Sequence, residues 1–404
     1  MTSNVSTLNV LLYGELIATI TNVGNDRTLF AFTDSYINDE SRSVLGLGFK
    51  DSLGGLLTNF KPTQTKLTPF FSNLLPEETM RNYLAERAGV DPSREFFLLW
   101  VLGQDLAGAI TVEPAEGEAL PPNVHQEIEG ETKYEAPMRF SLAGVQLKFS
   151  AMQHEKGGLT IPATGQGGSW IVKLPSSRFE AVPENEYSMM ELARMLGMDV
   201  PEIKLLPINQ IANIPKGIGQ FGDSAFVIKR FDRADGQAIH IEDFAQIFGV
   251  YPQDKYKKAS MRNIAQVIGI EGQDEDIAEF TRRLVFNTLI GNADMHLKNW
   301  SMIYKDKRTA SIAPAYDFVS TIAYISDDSA SLKVSRSKKF SNFTLDELSH
   351  LAAKAMLPEK LVLDTAKQTV SGFHEVWAKE KFHLPLTKSM IELIEKHLQS
   401  IPLR

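Results

Sequence analysis

Residues 290–299 read IGNADMHLKN and follow a predicted helix that ends near Gly291. Asp294 precedes Asn299 by five residues, and a second acid, Asp317, closes the later run PAYD. Phosphoryl transfer uses such a set, because one Asp orients the proton of the attacking hydroxyl while an Asn and another Asp hold Mg²⁺ against phosphate oxygens. The alternative is that Asp294 caps a helix and that Asn299 and Asp317 are turn residues, since Asp and Asn are common in both roles.

A phosphoryl-transfer site also needs a cation for the α- and β-phosphates, and Lys173 is the candidate. It lies in the apolar run IVKL of residues 171–174, where a lysine is out of place unless it is paired. Its partner would be Glu186 or Glu191 on the next predicted helix, and we favour Glu186. The alternative is an edge-strand lysine whose amino group reaches water.

Two segments could cover the phosphates. GIGQFG at residues 217–222 has the literal G-x-G-x-x-G pattern, but it precedes a strand and opens no helix, so we interpret it as a hairpin loop. SLAGVQLK at residues 141–148 has one glycine, small residues and a downstream lysine, and it precedes the Lys173 strand. No Walker A sequence occurs in the chain, which excludes a P-loop NTPase.

The composition excludes several other classes of protein. The net charge of -8 disfavours a globally basic nucleic-acid binder, although SRSKK at residues 335–339 is either solvated charge or a contact for a partner or a phosphate backbone. The chain has no cysteine, which removes disulfides, thiol nucleophiles and cysteine-ligated metals. No HExxH or G-x-S-x-G pattern occurs. Without a signal peptide or a bilayer-length apolar run, we expect a cytoplasmic protein with no membrane contact.

The apolar patterns predict a strand-rich part followed by a mainly helical part. An acidic, Pro-rich stretch marks a linker, so we place boundaries that give residues 1–115, a linker at 116–137, then 138–240 and 241–404. Predicted strands lie at 8–20 (a pair around Gly14), 170–174, 203–208 and 224–231. Predicted helices lie at 69–89, 185–196, 242–249, 259–268, 274–291, 344–354, 358–382 and 387–399.

Taken together and in order, the motifs resemble the HipA family, the serine/threonine-kinase toxins of bacterial type II toxin–antitoxin modules. The resemblance covers nearly the whole chain. It rests on NLLP (73–76), GAIT (108–111), SLAGVQLK (141–148), IVKLP (171–175), NEY (185–187), RFDR (230–233), EDFAQ (242–246), IGNADMHLKN (290–299) and PAYD (314–317).

The resemblance implies an α+β, two-lobed protein-kinase-like fold with strand-rich N-terminal subdomains and an all-helical C-terminal lobe. Residues 1–115 would be the HipA N-terminal subdomain, 138–240 the part that resembles a kinase N-lobe, and 241–404 the lobe with the catalytic and metal residues. The implied activity is that of an ATP- and Mg²⁺-dependent protein serine/threonine kinase that arrests growth. In the family, aminoacyl-tRNA synthetases recur as targets, and a small helix-turn-helix antitoxin (HipB-like) neutralises the kinase and represses the operon with it on operator DNA.

The resemblance also implies residue roles. Asp294 would be the catalytic residue, Asn299 and Asp317 the Mg²⁺ ligands, Ser141 the autophosphorylation site that silences the enzyme, and Glu186 the partner of Lys173. The ATP contacts would come from a phosphate loop, a hinge and the catalytic segments, namely Ala143, Gly144, Val145, Gln146, Leu147, Lys148, Lys173, Lys229, Arg230, Phe231, His296, Leu297, Lys298, Asn299, Tyr316 and Asp317. Lys229 departs from the Glu that family members often carry there, and Leu147 and Phe149 replace more polar residues.

Two other functions stay open. One is a non-catalytic corepressor that keeps the fold and binds an antitoxin and DNA, although the intact set of Lys173, Asp294, Asn299 and Asp317 disfavours it. The other is a small-molecule or lipid kinase on the same fold.

Overall fold

The computed structural model of the protein describes residues 6–115, 148–153, 158–161, 168–214, 222–326 and 328–403. Contacts between residues divide the chain into two compact units. Unit 1 takes its described residues from 1–145, 232–253 and 304–308, and unit 2 takes its described residues from 146–231, 254–303 and 309–404. In the described ranges, no helix is long and apolar enough to cross a membrane.

The elements of the first half of the chain are β1 Thr7–Leu12, β2 Glu15–Gly24, β3 Arg27–Phe32, α1 Asp34–Asn38, β4 Thr63–Gln64, α2 Pro69–Ser72, α3 Glu78–Ala88, α4 Glu95–Leu102, β5 Ile110–Pro114, β6 Lys148–Gln153, β7 Leu159–Thr160, β8 Trp170–Lys173, α5 Val182–Met195, β9 Ile203–Pro207, β10 Ile211–Ala212 and β11 Ser224–Lys229. Those of the second half are β12 Arg233–Ala234, β13 Gln237–Ala238, β14 His240–Asp243, α6 Phe244–Ile247, α7 Met261–Glu271, α8 Asp274–Leu289, β15 Ser301–Tyr304, β16 Ser311–Ile312, α9 Leu345–Ala355, α10 Glu359–Glu380 and α11 Lys388–Ser400.

Unit 1 is built on an antiparallel five-stranded sheet in the order β4-β3-β2-β1-β5. The predicted strand pair is confirmed: β1 and β2 are joined by Tyr13 and Gly14, whose φ angles of 55° and 81° give the left-handed backbone that a tight two-residue hairpin needs. Alternate residues of β1, including Leu8 and Val10, are fully buried. The period of two therefore places one face of the sheet on the core of this unit.

Unit 2 contains a six-stranded sheet in the order β10-β7-β6-β8-β11-β9, in which the β10–β7 pair is parallel. Helix α5 packs against β11 and β9. It begins three residues before the predicted start at Asn185, and Gly197, with a φ of 76°, follows its end as a C-terminal cap requires.

The helices predicted for the second half are confirmed as α6 to α11, with ends that differ by a few residues. The buried helix α8 packs against α7, α10 and α11. One detail differs from the predicted all-helical lobe, because β15 and β16 pair there as a short antiparallel ladder. All four residues of β15 are buried, so the run SMIY shows no alternation by which a strand could be recognised.

Unit 1 is not continuous along the chain. Segments 232–253 and 304–308 belong to it by contacts, although we placed them after the linker. Composition marks flexible linkers but not segments that return to an earlier unit, so the domain boundaries taken from the sequence stay a prediction.

Glu242 is the buried acid at the centre of this returning part of unit 1. Its side chain is fully buried, and its Oε1 accepts hydrogen bonds from the Tyr304 hydroxyl at 2.5 Å and the Leu47 N–H at 2.8 Å. Gly46 packs against the other oxygen, since a Cβ there would lie 2.7 Å from Oε2. Burial raises the pKa of Glu242 to about 8 even though both hydrogen bonds oppose the rise. Burial therefore favours the neutral form of Glu242.

We expect Glu242→Gln to remove a pH dependence of stability. The unfolded chain ionises Glu242 near its ordinary pKa of 4.5, whereas the folded chain keeps the proton up to about pH 8, so the free energy of unfolding falls as the pH rises through that window. As the pH rises, the free energy of unfolding of the variant should increase relative to that of the parent by at most about 1.4 kcal/mol per pH unit. Urea unfolding of the full chain at pH 5 and pH 8 measures this, with the exposed Glu15→Gln as control. The prediction would be contradicted if the parent and Glu242→Gln differed in their free energy of unfolding by the same amount at pH 5 and at pH 8.

Candidate active site

The end of β8 places Lys173 between two acids. Its amino group donates a hydrogen bond to Glu186 Oε1 at 2.5 Å and another to Asp317 Oδ1. Lys173 is 9% exposed, so the ion pairs satisfy a charge that this apolar strand could not otherwise bury. Glu191, the other partner considered, instead pairs with Arg194 on the helix surface at 2.6 Å. The structure thus brings together Lys173, Glu186 and Asp317.

The two acids respond differently to this cation. Burial raises the pKa of Glu186 to about 7, and the charge of Lys173 only partly opposes the rise. Asp317 is partly exposed; burial would raise its pKa too, but Lys173 outweighs burial and holds it at about 2. For Lys173 itself, burial favours the neutral amine, yet the two carboxylates raise its pKa above the ordinary value. Lys173 therefore holds the pKa of Asp317 below its ordinary value, whereas the pKa of the more deeply buried Glu186 stays above its own.

The backbone of Asp317 is strained. Its φ of 59° lies in the left-handed region, which residues with a Cβ rarely adopt. The Asn292 side chain donates to the Asp317 carbonyl at 3.4 Å and to Asn287 Oδ1 at 2.8 Å, so the strained residue is tied to the end of helix α8. Strain of this kind persists only where surrounding contacts determine it, and it concentrates at functional sites.

The loop after α8 presents Asp294 to solvent. The Asp294 N–H donates to Asn292 Oδ1 at 3.0 Å, and the Asn299 side-chain amide donates to the Asp294 carbonyl at 2.9 Å. Asp294 caps no helix, since the short 3₁₀ turn that follows begins at Leu297. Its exposed carboxylate accepts a hydrogen bond from the Tyr256 hydroxyl at 3.0 Å. The alternative role as a helix cap is therefore wrong.

Tyr256 is a site residue that the sequence did not reveal. Its ring meets that of His296 edge-on, with centroids 5.1 Å apart. The residue stands in the run QDKYKK, well before Asp294, and no spacing rule links the two. Only the path of the chain before α7 brings them together.

The segment that follows strand β11 and the segment before Asp317 meet at an aromatic contact. The rings of Phe231 and Tyr316 lie 5.7 Å apart, and the Tyr316 hydroxyl donates to the Lys298 carbonyl at 3.0 Å. The expected hinge residues Lys229 and Arg230 use their N–H groups within the fold, on the carbonyls of Glu202 and Ser169, each at 2.8 Å. Hydrogen bonds from this hinge to a ligand would therefore come from other groups, such as the carbonyls.

Most of the expected phosphate loop lies outside the described residues. This applies to Ser141, Ala143, Gly144, Val145, Gln146 and Leu147, and also to residues 217–221 of the rejected glycine motif. Lys148 is described and stands opposite Lys173 across the β6–β8 pair, so both lysines project from one face of the sheet. The positive charge of Lys148 lowers the pKa of both Glu186 and Asp317.

The expected metal ligands are an amide and a carboxylate, the oxygen donors that hard cations prefer. Within the described ranges, no three His, Cys, Asp or Glu side chains are grouped so as to hold a metal. Asn299 donates through its nitrogen to Asp294, which leaves its Oδ1 as the acceptor end. Oδ1 of Asp317 already pairs with Lys173. A metal bound at Asp317 would therefore compete with this lysine for the carboxylate.

Two family models match the chain: the HipA N-terminal domain over residues 8–113 and the HipA-like C-terminal domain over residues 140–377. The chain belongs to the HipA family. The α+β, HipA-like fold predicted from the sequence is confirmed. In this HipA-family chain, the second model spans every described residue of the site.

Among HipA relatives, a protein named putative kinase Y4dM from Sinorhizobium fredii is 56% identical over 99% of this chain and 98% of its own. A second protein of that organism, putative kinase Y4mE, is 31% identical over 79% of this chain and 78% of its own. The serine/threonine-protein kinase toxin HipA of Shewanella oneidensis is 27% identical over 74% and 72%. A solved complex of HipA, HipB and operator DNA from S. oneidensis matches with a TM-score of 0.72 at 23% identity, covering 97% of this chain and 95% of that one, which shows the likeness of fold.

We expect Lys173→Met to destabilise the protein by about 3 kcal/mol, because it leaves Glu186 buried without its cation. Lys204→Met is the matched control: this lysine lies in the same sheet and is partly exposed, and its loss of the Glu202 pair should cost under about 1 kcal/mol. Urea unfolding measures both. Equal losses in the two variants would contradict a special role for the Lys173 cluster.

Proposed function

We propose that the chain is an ATP-dependent protein kinase that phosphorylates serine or threonine side chains. The observation that supports it most is Lys173, buried between Glu186 and Asp317, because a lysine paired with a helix glutamate beside a metal-binding Asp is what kinases use to hold phosphates. The relatives named as kinases support the same reading.

In this proposal, Lys173 and Lys148 bind the α- and β-phosphates from one face of the sheet. Asn299 and Asp317 would hold Mg²⁺, and the metal would supply positive charge for the phosphate oxygens. When the nucleotide binds, phosphate oxygens would replace part of the contact between Lys173 and Asp317. The lysine would therefore keep a negatively charged partner. Phe231 and Tyr316 supply apolar surface for the adenine, beside the carbonyls of the hinge.

Asp294 takes the proton of the acceptor hydroxyl in this proposal. The hydroxyl oxygen forms a bond to the γ-phosphorus, the bond between that phosphorus and the ADP oxygen breaks, and the proton passes to the Asp294 carboxylate. Tyr256 and Asn299 position this residue through its side chain and its carbonyl. Its exposure suits the role, since a protein substrate must reach it from solvent.

We extend the proposal to a toxin of a HipBA-like module. The S. oneidensis relative is named a kinase toxin, and the solved neighbour contains HipB and operator DNA. The partners would be a small helix-turn-helix antitoxin, operator DNA through the complex, and a cytoplasmic protein substrate such as an aminoacyl-tRNA synthetase. Autophosphorylation of Ser141 would add about two negative charges to the phosphate loop and repel ATP.

We expect Asp294→Asn to lower kcat for phosphate transfer on the order of 100- to 1,000-fold while the thermal shift by Mg·ATP is kept, because binding does not need this carboxylate. In contrast, Asp317→Asn should lose the Mg²⁺-dependent part of the thermal shift, because this carboxylate is a proposed Mg²⁺ ligand. The exposed Asp223→Asn serves as the control. Full activity of Asp294→Asn would contradict the kinase proposal, and binding without any transfer by the parent would favour the corepressor alternative.

We expect incubation with Mg·ATP to add one phosphate to the chain and to reduce its affinity for ATP. Intact-mass measurement detects the addition, and Ser141→Ala should abolish it. The neighbouring Ser150→Ala, in β6, is the control. A phosphate that persists in Ser141→Ala would contradict the assignment of Ser141.

A further inference from the structure

Two lysine-rich segments lie beside Asp294, and apart from Tyr256 none of their residues belongs to the site described above. Residues 254–262 contain four basic residues and one acid, and residues 328–339 likewise contain four and one, in a chain whose net charge is -8. Their exposed lysines form what we call the basic surface: Lys257, Lys258, Lys333, Lys338 and Lys339.

Hydrogen bonds join both segments to the catalytic loop. The Ser331 N–H donates to the carbonyl of Ala293, the residue before Asp294, at 2.8 Å. Tyr256, directly before Lys257, donates to the Asp294 carboxylate at 3.0 Å. Each segment is thus fixed to Asp294 or to its immediate neighbour.

The segments are also joined to each other. The N–H groups at the start of α7, on Met261 and Arg262, donate to the carbonyls of Lys333 and Val334 at 2.9 and 3.0 Å. Residues 329–339 form a narrow turn, in which Ser329 pairs with Lys339. The two segments that carry the basic surface therefore lie side by side.

The lysines of the basic surface are not required to neutralise acids of the fold. Arg336, in the same turn, does have that function, since it pairs with Asp346 and Glu347 at 2.6 and 2.7 Å. Lys338 donates to the Ser331 carbonyl. In the described part of the chain, no ion pair involves Lys257, Lys258, Lys333 or Lys339.

We propose that the basic surface selects protein substrates whose acceptor serine or threonine is flanked by Asp and Glu. The inference rests on the proposed kinase function. A chain that delivers its hydroxyl to Asp294 must lay the neighbouring residues over the adjoining surface, and opposite charges there favour the right partner over others. Clustered like charges repel each other, and acidic flanks relieve that repulsion. A protein segment fits better than a nucleic acid, because the exposed Tyr256 ring already contacts His296 edge-on and carries the Lys255 amino group over its face, which leaves less of it for base stacking.

The test compares two fluorescent serine peptides that differ only in their flanks, Asp and Glu in one and Gln in the other. Anisotropy in the presence of Mg·ADP measures binding without turnover. We expect the acid-flanked peptide to bind roughly tenfold more tightly, with the advantage lost at high salt. That advantage should be lost in a fourfold variant that combines Lys257→Gln, Lys258→Gln, Lys333→Gln and Lys339→Gln. The matched control exchanges the four exposed lysines Lys360, Lys367, Lys379 and Lys388 of α10 and α11 for Gln.

The outcomes separate this inference from the kinase proposal. Equal affinity of the parent for both peptides overturns the inference, and so does an equal loss in the control variant. Lysine-dependent binding of a single-stranded oligonucleotide, without a preference between the peptides, assigns the surface to nucleic acid and also overturns it. A lysine-dependent preference without phosphate transfer to any serine peptide supports the surface's selectivity and contradicts the kinase function. The salt dependence of the parent stands as evidence even if the fourfold variant fails to fold.

Discussion

The amino group of Lys173 is the contact on which the rest of unit 2 depends. It joins strand β8 to the next helix, α5, through Glu186, and to the segment after β16, 144 residues away in sequence, through Asp317. Buried ion groups are costly unless each is compensated, and removing one partner leaves the others exposed to that cost. The cluster is therefore a constraint on the fold as well as the centre of the candidate site.

The geometry around Asp317 shows how the constraint is transmitted. The residue accepts a left-handed backbone, and Asn292 ties its carbonyl to the end of α8, whose following loop orients Asp294. The catalytic candidate and the metal-ligand candidate are thus positioned by one small network of side-chain amides. Asn292 stands inside the motif IGNADMHLKN, yet its function is to position its neighbours.

The sequence predicted the parts of the site that violate local rules. Lys173 was recognisable because a lysine does not belong in an apolar strand, and of the two glutamates considered on the next helix, the favoured Glu186 is the one that is buried. Strand β15 was missed because it is buried on all sides, and Tyr256 and the return of residues 304–308 to unit 1 were missed because tertiary contacts alone determine them. A local sequence pattern can identify a side chain that is chemically out of place in its own element. It cannot predict which distant segment of the chain packs against that element.

The discontinuity of unit 1 has a consequence for biosynthesis. When the ribosome has made residues 1–115, the five-stranded sheet is complete in sequence, but Glu242 and Tyr304 have not yet been translated. The nascent sheet must wait through almost 200 further residues with part of its apolar surface uncovered, a state in which partly folded chains associate or misfold. The amino-terminal sheet therefore gains its last contacts late in synthesis, and a chain that ends before Tyr304 lacks the residue that donates to Glu242.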